Sequence, residues 1–167
     1  MLQLKPLIKI MIYVLDDEQD ILKWVCIAFE QAEIKNYKVF TSGDTMIEEF
    51  NEDVQICVID YNLNSDKTGV QVMKQIKKLQ PLCTYIFLSN MVEENALIDI
   101  MNAGCNRFIR KDNPYWLDRL VEHVTEAAIE NDERLRRTLT AAARITETIE
   151  FFEKLRGNAP NKLQATA

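Results

Sequence analysis

Val54-Gln55-Ile56-Cys57-Val58-Ile59-Asp60 is an apolar, β-branched-rich run that ends on a carboxylate. Such a run reads as a strand buried on both faces, the way strands of a parallel sheet look in sequence. A carboxylate is costly inside that core, so Asp60 belongs at the carboxyl edge of the sheet, where the strand leaves it. Ile10-Met11-Ile12-Tyr13-Val14-Leu15 repeats the pattern and ends on Asp16-Asp17. Open α/β sheets place their ligands at that edge. If the two strands are neighbours, three carboxylates converge in one crevice. They then repel one another and raise their own pKa values unless a cation neutralises them, and Mg²⁺ is the hard, oxygen-seeking candidate.

Working outward, strand-like runs recur at Lys9–Leu15, Tyr37–Phe40, Gln55–Ile59, Thr84–Leu88 and Arg107–Ile109, with helical spacing between them. Ile21, Val25, Ala28, Phe29 and Ala32 share one face of the first helix. A second runs from about Asp44 to Phe50. The third carries Val72, Met73, Ile76 and Leu79 and is stopped by Pro81. The fourth carries Ala96, Leu97, Ile100 and Met101, with Gly104 as its C-terminal stop. This alternation predicts a flavodoxin-like, doubly wound, five-stranded parallel sheet of order 2-1-3-4-5. Right-handed crossovers put the first and third strands side by side, so Asp16, Asp17 and Asp60 meet at the switch point. Ser89 follows the fourth strand and Lys111 the fifth, which brings a hydroxyl and an ammonium to the same edge. Met46, Met73, Met91 and Met101 read as packing residues, and Trp24 and Trp116 as amphipathic helix residues near the surface.

The bulk numbers narrow the class. The 167 residues are 47% hydrophobic and 28% charged, ordinary for a soluble protein with one good core and a small appendage. A formal charge of −6 argues against nucleic-acid binding. Cys26, Cys57, Cys83 and Cys105 are scattered without a C-x-x-C pair and read as reduced thiols of a cytoplasmic protein. No run reaches membrane-spanning length, and the N-terminus lacks a signal-peptide cleavage site. The single His123 argues against His-based metal sites and His-relay triads.

The acidic pair Asp16-Asp17, the strand-terminal Asp60, Gly69 after the next loop, Ser89 and Lys111 occupy five separate positions. Together they make residues from about Ile10 to Val124 resemble the response-regulator receiver domain of two-component signalling. The resemblance implies a phosphoacceptor at Asp60, supplied by a histidine kinase or phosphotransfer protein. It also implies Mg²⁺ held by Asp17, Asp60 and the backbone carbonyl of Asn62, with Asp16 reaching it through water; Asp66 in the neighbouring loop stays outside the set. Ser89 then matches the hydroxyl that follows the phosphoryl group, Lys111 the cation that pairs with it, and Phe108 the aromatic switch position. The implied protein is a phosphorylation-dependent switch with output by protein–protein contact, and no enzyme beyond self-phosphorylation and autodephosphorylation. The chain departs from the family at Asp112, where a cis-proline is usual, at Leu63, where a proline is common, at Asn90, where Ala or Gly is usual, and at Phe108, which lacks the tyrosine hydroxyl.

Plainer readings and rivals compete with this one. Asp16-Asp17 alone would be read as a helix cap. A flavodoxin relative needs hydroxyls and amides in its first βα loop, where this chain has Asp16-Asp17-Glu18-Gln19-Asp20. An aspartate-nucleophile phosphatase needs an acid two residues after the nucleophile, where this chain has Asn62. A degenerate receiver, acting as an unphosphorylated docking scaffold, keeps the fold without the chemistry.

The domain reading is an N-terminal extension at 1–9, a receiver at 10–124, a helical extension at 125–156 and a flexible tail at 157–167. From Tyr115 to about Arg156 there is no Pro or Gly, which predicts one long helix or two broken near Asn131-Asp132. Leu117, Val121, Val124, Ala128, Leu135, Ala142, Ile145, Ile149 and Phe152 fall close to a heptad seam, interrupted by Asn131 and Thr138. That stripe fits a coiled-coil arm that pairs in a homodimer or docks on a partner, or a hairpin folded back on the domain.

Overall fold

Five strands, β1 (Met11–Leu15), β2 (Tyr37–Phe40), β3 (Val54–Asp60), β4 (Thr84–Ser89) and β5 (Phe108–Arg110), pair in parallel in the order β2-β1-β3-β4-β5. This is the arrangement in a computed structural model that describes residues 10–65, 67–90, 94–105 and 107–157. The flavodoxin-like topology read from the sequence is therefore the topology of the protein. Expectations for residues 1–9, Asp66, Met91 and the tail beyond Gly157 lie outside the described residues, as does the side chain of Ala96.

The alternation of side chains along the strands explains why they read as unbroken apolar runs. Ile12, Val14, Ile56, Val58, Ile86 and Leu88 point to one face of the sheet and are buried. Tyr13, Leu15, Cys57, Ile59, Tyr85 and Phe87 point to the other and are buried as well. The first layer is covered by Ile21, Leu22, Val25 and Phe29 of α1 (Gln19–Gln31) and by the root of α5 (Trp116–Gly157). The second is covered by Met46 of α2 (Gly43–Glu48), by Val70, Val72, Met73 and Ile76 of α3 (Gly69–Leu79), and by Ile100 of α4 (Glu94–Asn102).

Several expectations need correcting. Trp116 is buried in the first core layer rather than near the surface, because α5 turns Trp116, Leu120, Val124, Ala127 and Ala128 inward. Leu117 and Val121, read as the start of the heptad seam, sit at the partly buried margin of that core layer. Leu79, Leu97 and Met101 are exposed, since α3 ends at Leu79 and α4 buries Ile100 on its inner face. Gly104 closes α4 at φ +87°, a conformation that glycine adopts without cost. The four cysteines are free thiols.

The C-terminal segment is one helix, with no break at Asn131-Asp132, so the two-helix reading does not hold. Residues up to Glu130 belong to one compact unit and residues from Asn131 onward to a second.

Candidate functional site

Asp60 is the last residue of β3, Ser89 the last of β4, and Asp16 and Lys111 directly follow β1 and β5. Each strand thus delivers its polar residue to the same carboxyl edge. The ladder continues just past the strands and fixes the spacing: Asp16 N–H donates to the Phe40 carbonyl, Tyr61 N–H to Leu88, and Lys111 N–H to Ser89, at 3.1, 2.9 and 2.9 Å. Asp16, Asp60, Ser89 and Lys111 are all buried, and Asp17 is half-buried.

Lys111 Nζ lies 2.6 Å from Asp16 Oδ2 and 2.9 Å from Asp60 Oδ1, bridging the two buried carboxylates. One carboxylate oxygen from each of Asp16, Asp17 and Asp60 falls within 4.8 Å of the others. Three carboxylates against one ammonium leave the crevice negative. Burial pushes the Asp60 carboxyl up to about 6; Lys111 works against that shift, and the charges of Asp16 and Asp17 add to it. Burial also raises Asp16, opposed by its hydrogen bond to Lys111. Burial disfavours the Lys111 ammonium, but its contacts with Asp16 and Asp60 outweigh that penalty and raise its pKa. A compact all-oxygen set with excess negative charge, one member of which is pushed toward protonation, is chemically suited to a hard divalent cation such as Mg²⁺.

Capping does not account for the acidic pair. The N-cap of α1 is Glu18, without a side-chain cap bond; Asp16 Oδ1 accepts the Glu18 N–H at 3.0 Å but has Lys111 on its other oxygen. Gly69 has a steric reason for its place. A Cβ there would lie 2.1 Å from the Asp60 carbonyl oxygen, so only glycine lets α3 start against the end of β3. The Gly69 N–H donates to Tyr61 O at 3.1 Å, and Thr68 and Gln71 form a reciprocal capping box that holds the same turn.

Asn62 is exposed, and its Nδ2 approaches Ser89 Oγ at 3.5 Å. Phe108 is half-buried and packs against the second core layer. Sequence reasoning missed Asn64. Its Nδ2 and its backbone N–H both donate to Asp17 Oδ2, at 2.5 and 3.3 Å, tying the β3–α3 loop to the acidic pair. Asn90 Nδ2 reaches Glu18 Oε1 at 3.5 Å across the rim, rather than a member of the acidic cluster. Neither contact has a signature in the sequence, because each depends on the path of two loops.

A central parallel sheet with an acidic crevice, a buried lysine and a hydroxyl at strand ends defines a class of signalling domain, and comparison with known proteins gives the same class. The family model for the response regulator receiver domain matches residues 12–125, and the chain belongs to that family. Among solved structures it is similar to a CheY-like receiver domain protein from Methanospirillum hungatei, at 21% identity and a TM-score of 0.65, over 75% of this chain and 98% of that one. It is similar to the response regulator DrrB of Thermotoga maritima, an OmpR/PhoB homologue, at 23% identity and a TM-score of 0.63, over 73% of this chain. The chain spans 54% of DrrB's length. A fusion carrying a trimeric coiled coil of yeast Spc42 matches over 90% of this chain and 99% of its own, at 15% identity and a TM-score of 0.66. Among curated proteins, none matches the chain.

Proposed function

We propose that this receiver is a phosphorylation switch in which Asp60 takes a phosphoryl group from a histidine kinase or a phosphotransfer protein. The observation that carries the reading is the buried Asp16–Lys111–Asp60 bridge at the carboxyl edge, with Asp17 and Ser89 beside it. An Asp60 carboxylate oxygen attacks the donor's phosphorus as the P–N bond to the donor imidazole breaks, the bonding electrons leaving with the nitrogen. The product is an acyl phosphate. Asp16, Asp17, Asp60 and the Asn62 carbonyl would hold Mg²⁺, which supplies charge neutralisation for two anions approaching each other. Lys111, already on Asp60, pairs with the added oxyanion, and the Ser89 hydroxyl moves toward it. Withdrawal of Ser89 makes room for the Phe108 ring, which changes the face formed by α4, β5 and the root of α5. The protein turns over no other substrate.

Output runs through protein–protein contact, including self-association or docking through the C-terminal half of α5. The three- and four-residue spacing of apolar residues continues in sequence beyond Glu130, where Ile145, Ile149 and Phe152 are exposed. Among the described residues no helix is long and apolar enough to cross a membrane, which fits a cytoplasmic regulator with no membrane insertion. The net charge of −6 fits a protein that does not bind nucleic acid directly.

Acetyl phosphate with Mg²⁺ tests the chemistry. It should add one acid-stable, base-labile phosphate to the protein and none to Asp60→Asn. Labelling that survives the substitution places the nucleophile elsewhere. No labelling of the parent protein leaves the docking-scaffold reading.

A further inference from the structure

From Leu135 to Phe152, α5 carries Leu135, Thr138, Ala142, Ile145, Ile149 and Phe152 at alternating three- and four-residue steps, the spacing of a two-helix seam. Ile145, Ile149 and Phe152 are 61, 52 and 56% exposed, so the second unit leaves this row uncovered. Thr138 does not interrupt the row in the way its sequence suggests. Its Oγ1 donates to the Arg134 carbonyl at 3.0 Å, which satisfies the hydroxyl within the helix and leaves the methyl group for packing.

Two properties of the row say what covers it. The first is charge. Residues 131–144 carry Arg134, Arg136, Arg137 and Arg144 against Asp132 and Glu133, whereas residues 145–154 carry Glu147, Glu150 and Glu153 against Lys154. Paired helices lie about 8–10 Å apart, comparable to the Debye length of about 8 Å at physiological salt, so each half feels the partly screened charge of the half beside it. A parallel copy would set basic against basic and acidic against acidic. An antiparallel copy sets basic against acidic at both ends.

The second property is size. In a parallel pair every layer is a self-pair: Ala142 on Ala142 leaves a hole, and Phe152 on Phe152 crowds. In an antiparallel pair one register puts Leu135 opposite Phe152, Thr138 opposite Ile149 and Ala142 opposite Ile145. Each smaller residue then meets a larger one, and all six layers are filled. The same register brings Arg136, which pairs with Asp132 in its own helix, level with Glu150 and Glu153 of the second copy.

We infer that the segment Leu135–Phe152 pairs with the same segment of a second copy of this chain, antiparallel, in the register that places Ala142 opposite Ile145. The inference rests on the self-association reading of α5 and gives that association its partner, direction and register.

The test uses the full-length protein on a Cys26→Ser background, with a single spin label at Ala143→Cys or Lys154→Cys and the oligomeric state measured by light scattering. Residue 143 lies at the centre of the register, so its labels should be close together. Residue 154 lies opposite residue 133, so its labels should be about 30 Å apart at 1.5 Å per residue. Glu150→Gln with Glu153→Gln should weaken the dimer severalfold, because it removes attraction across the pair; in a parallel pair the same change would relieve repulsion and tighten it. Close labels at both positions, a dimer tightened by the glutamine pair, or a trimer overturns the antiparallel register while leaving self-association standing. A monomer at every concentration, with and without acetyl phosphate, removes the self-association reading and this inference with it.

Discussion

At the scale of single residues, the crevice is held together by one lysine shared between two carboxylates, and its energetics are set by the charge left over. Asp60 is raised to about 6 in the folded chain, above the value it has when unfolded. A carboxyl raised in this way binds more protons folded than unfolded, so the parent loses stability as pH climbs through the window between the two values. With divalent metal chelated, Asp60→Asn should therefore be more stable than the parent above pH 6, by on the order of 2 kcal/mol. The difference should shrink to a small fraction of that near about pH 4 and vanish below about pH 3, where the parent's Asp60 is protonated in both states. Urea midpoints at pH 7.5 and pH 4 check the sign; an equal gain at both would mean that relief of charge is not the cause. Asn64 gives a second prediction. It donates twice to one oxygen of Asp17, which holds the carboxylate's orientation from outside the ligand set. Asn64→Ala should weaken Mg²⁺ binding by about tenfold, measured by calorimetry, and leave the rate of labelling at saturating Mg²⁺ unchanged.

At the scale of elements, the site depends on how tightly α3 starts beneath β3. Gly69 allows the approach, and the Thr68–Gln71 capping box satisfies the first donors of the helix. Thr68→Ala should cost about 1 kcal/mol in urea unfolding, the usual worth of an N-cap. These elements differ in how far the sequence discloses them. The strands are legible because both faces of the sheet are covered, so the runs at 54–60 and 84–89 contain almost nothing but apolar residues before their terminal Asp60 and Ser89. Asp16, Asp17, Asp60, Ser89 and Lys111 are legible for the same reason, being polar residues where apolar strands stop. The phase of α5 is harder to read, because Trp116 and Leu120 offer one stripe and Leu117 and Val121 an adjacent one, and only the packed sheet chooses between them. The Asn64–Asp17 contact is not legible at all, since it joins loops 47 residues apart.

At the scale of the whole molecule, the chain has one core with two layers and a helix that serves it only in part. Trp116, Leu120, Val124, Ala127 and Ala128 all belong to the layer shared with α1. Arg107, just before β5, places Nη2 at 2.7 Å from both carboxylate oxygens of Glu130 and Nη1 at 3.6 Å from Glu126. The structural need of the first unit for α5 therefore extends past Val124, where the sequence placed the domain's end, as far as Glu130. A chain cut after Glu130 should fold as a monomer and label at Asp60 with acetyl phosphate at the parental rate. A chain cut after Val124 loses the two buried alanines, a turn of helix and both acidic partners of Arg107, and should be less stable by about 2–3 kcal/mol. Urea unfolding of the two truncations checks the difference. Equal midpoints would mean that the turn from Thr125 to Glu130 adds nothing to the core. Loss of labelling in the longer, folded truncation would mean that the phosphoryl chemistry needs residues of the second unit, against its placement among Asp16, Asp17, Asp60, Ser89 and Lys111.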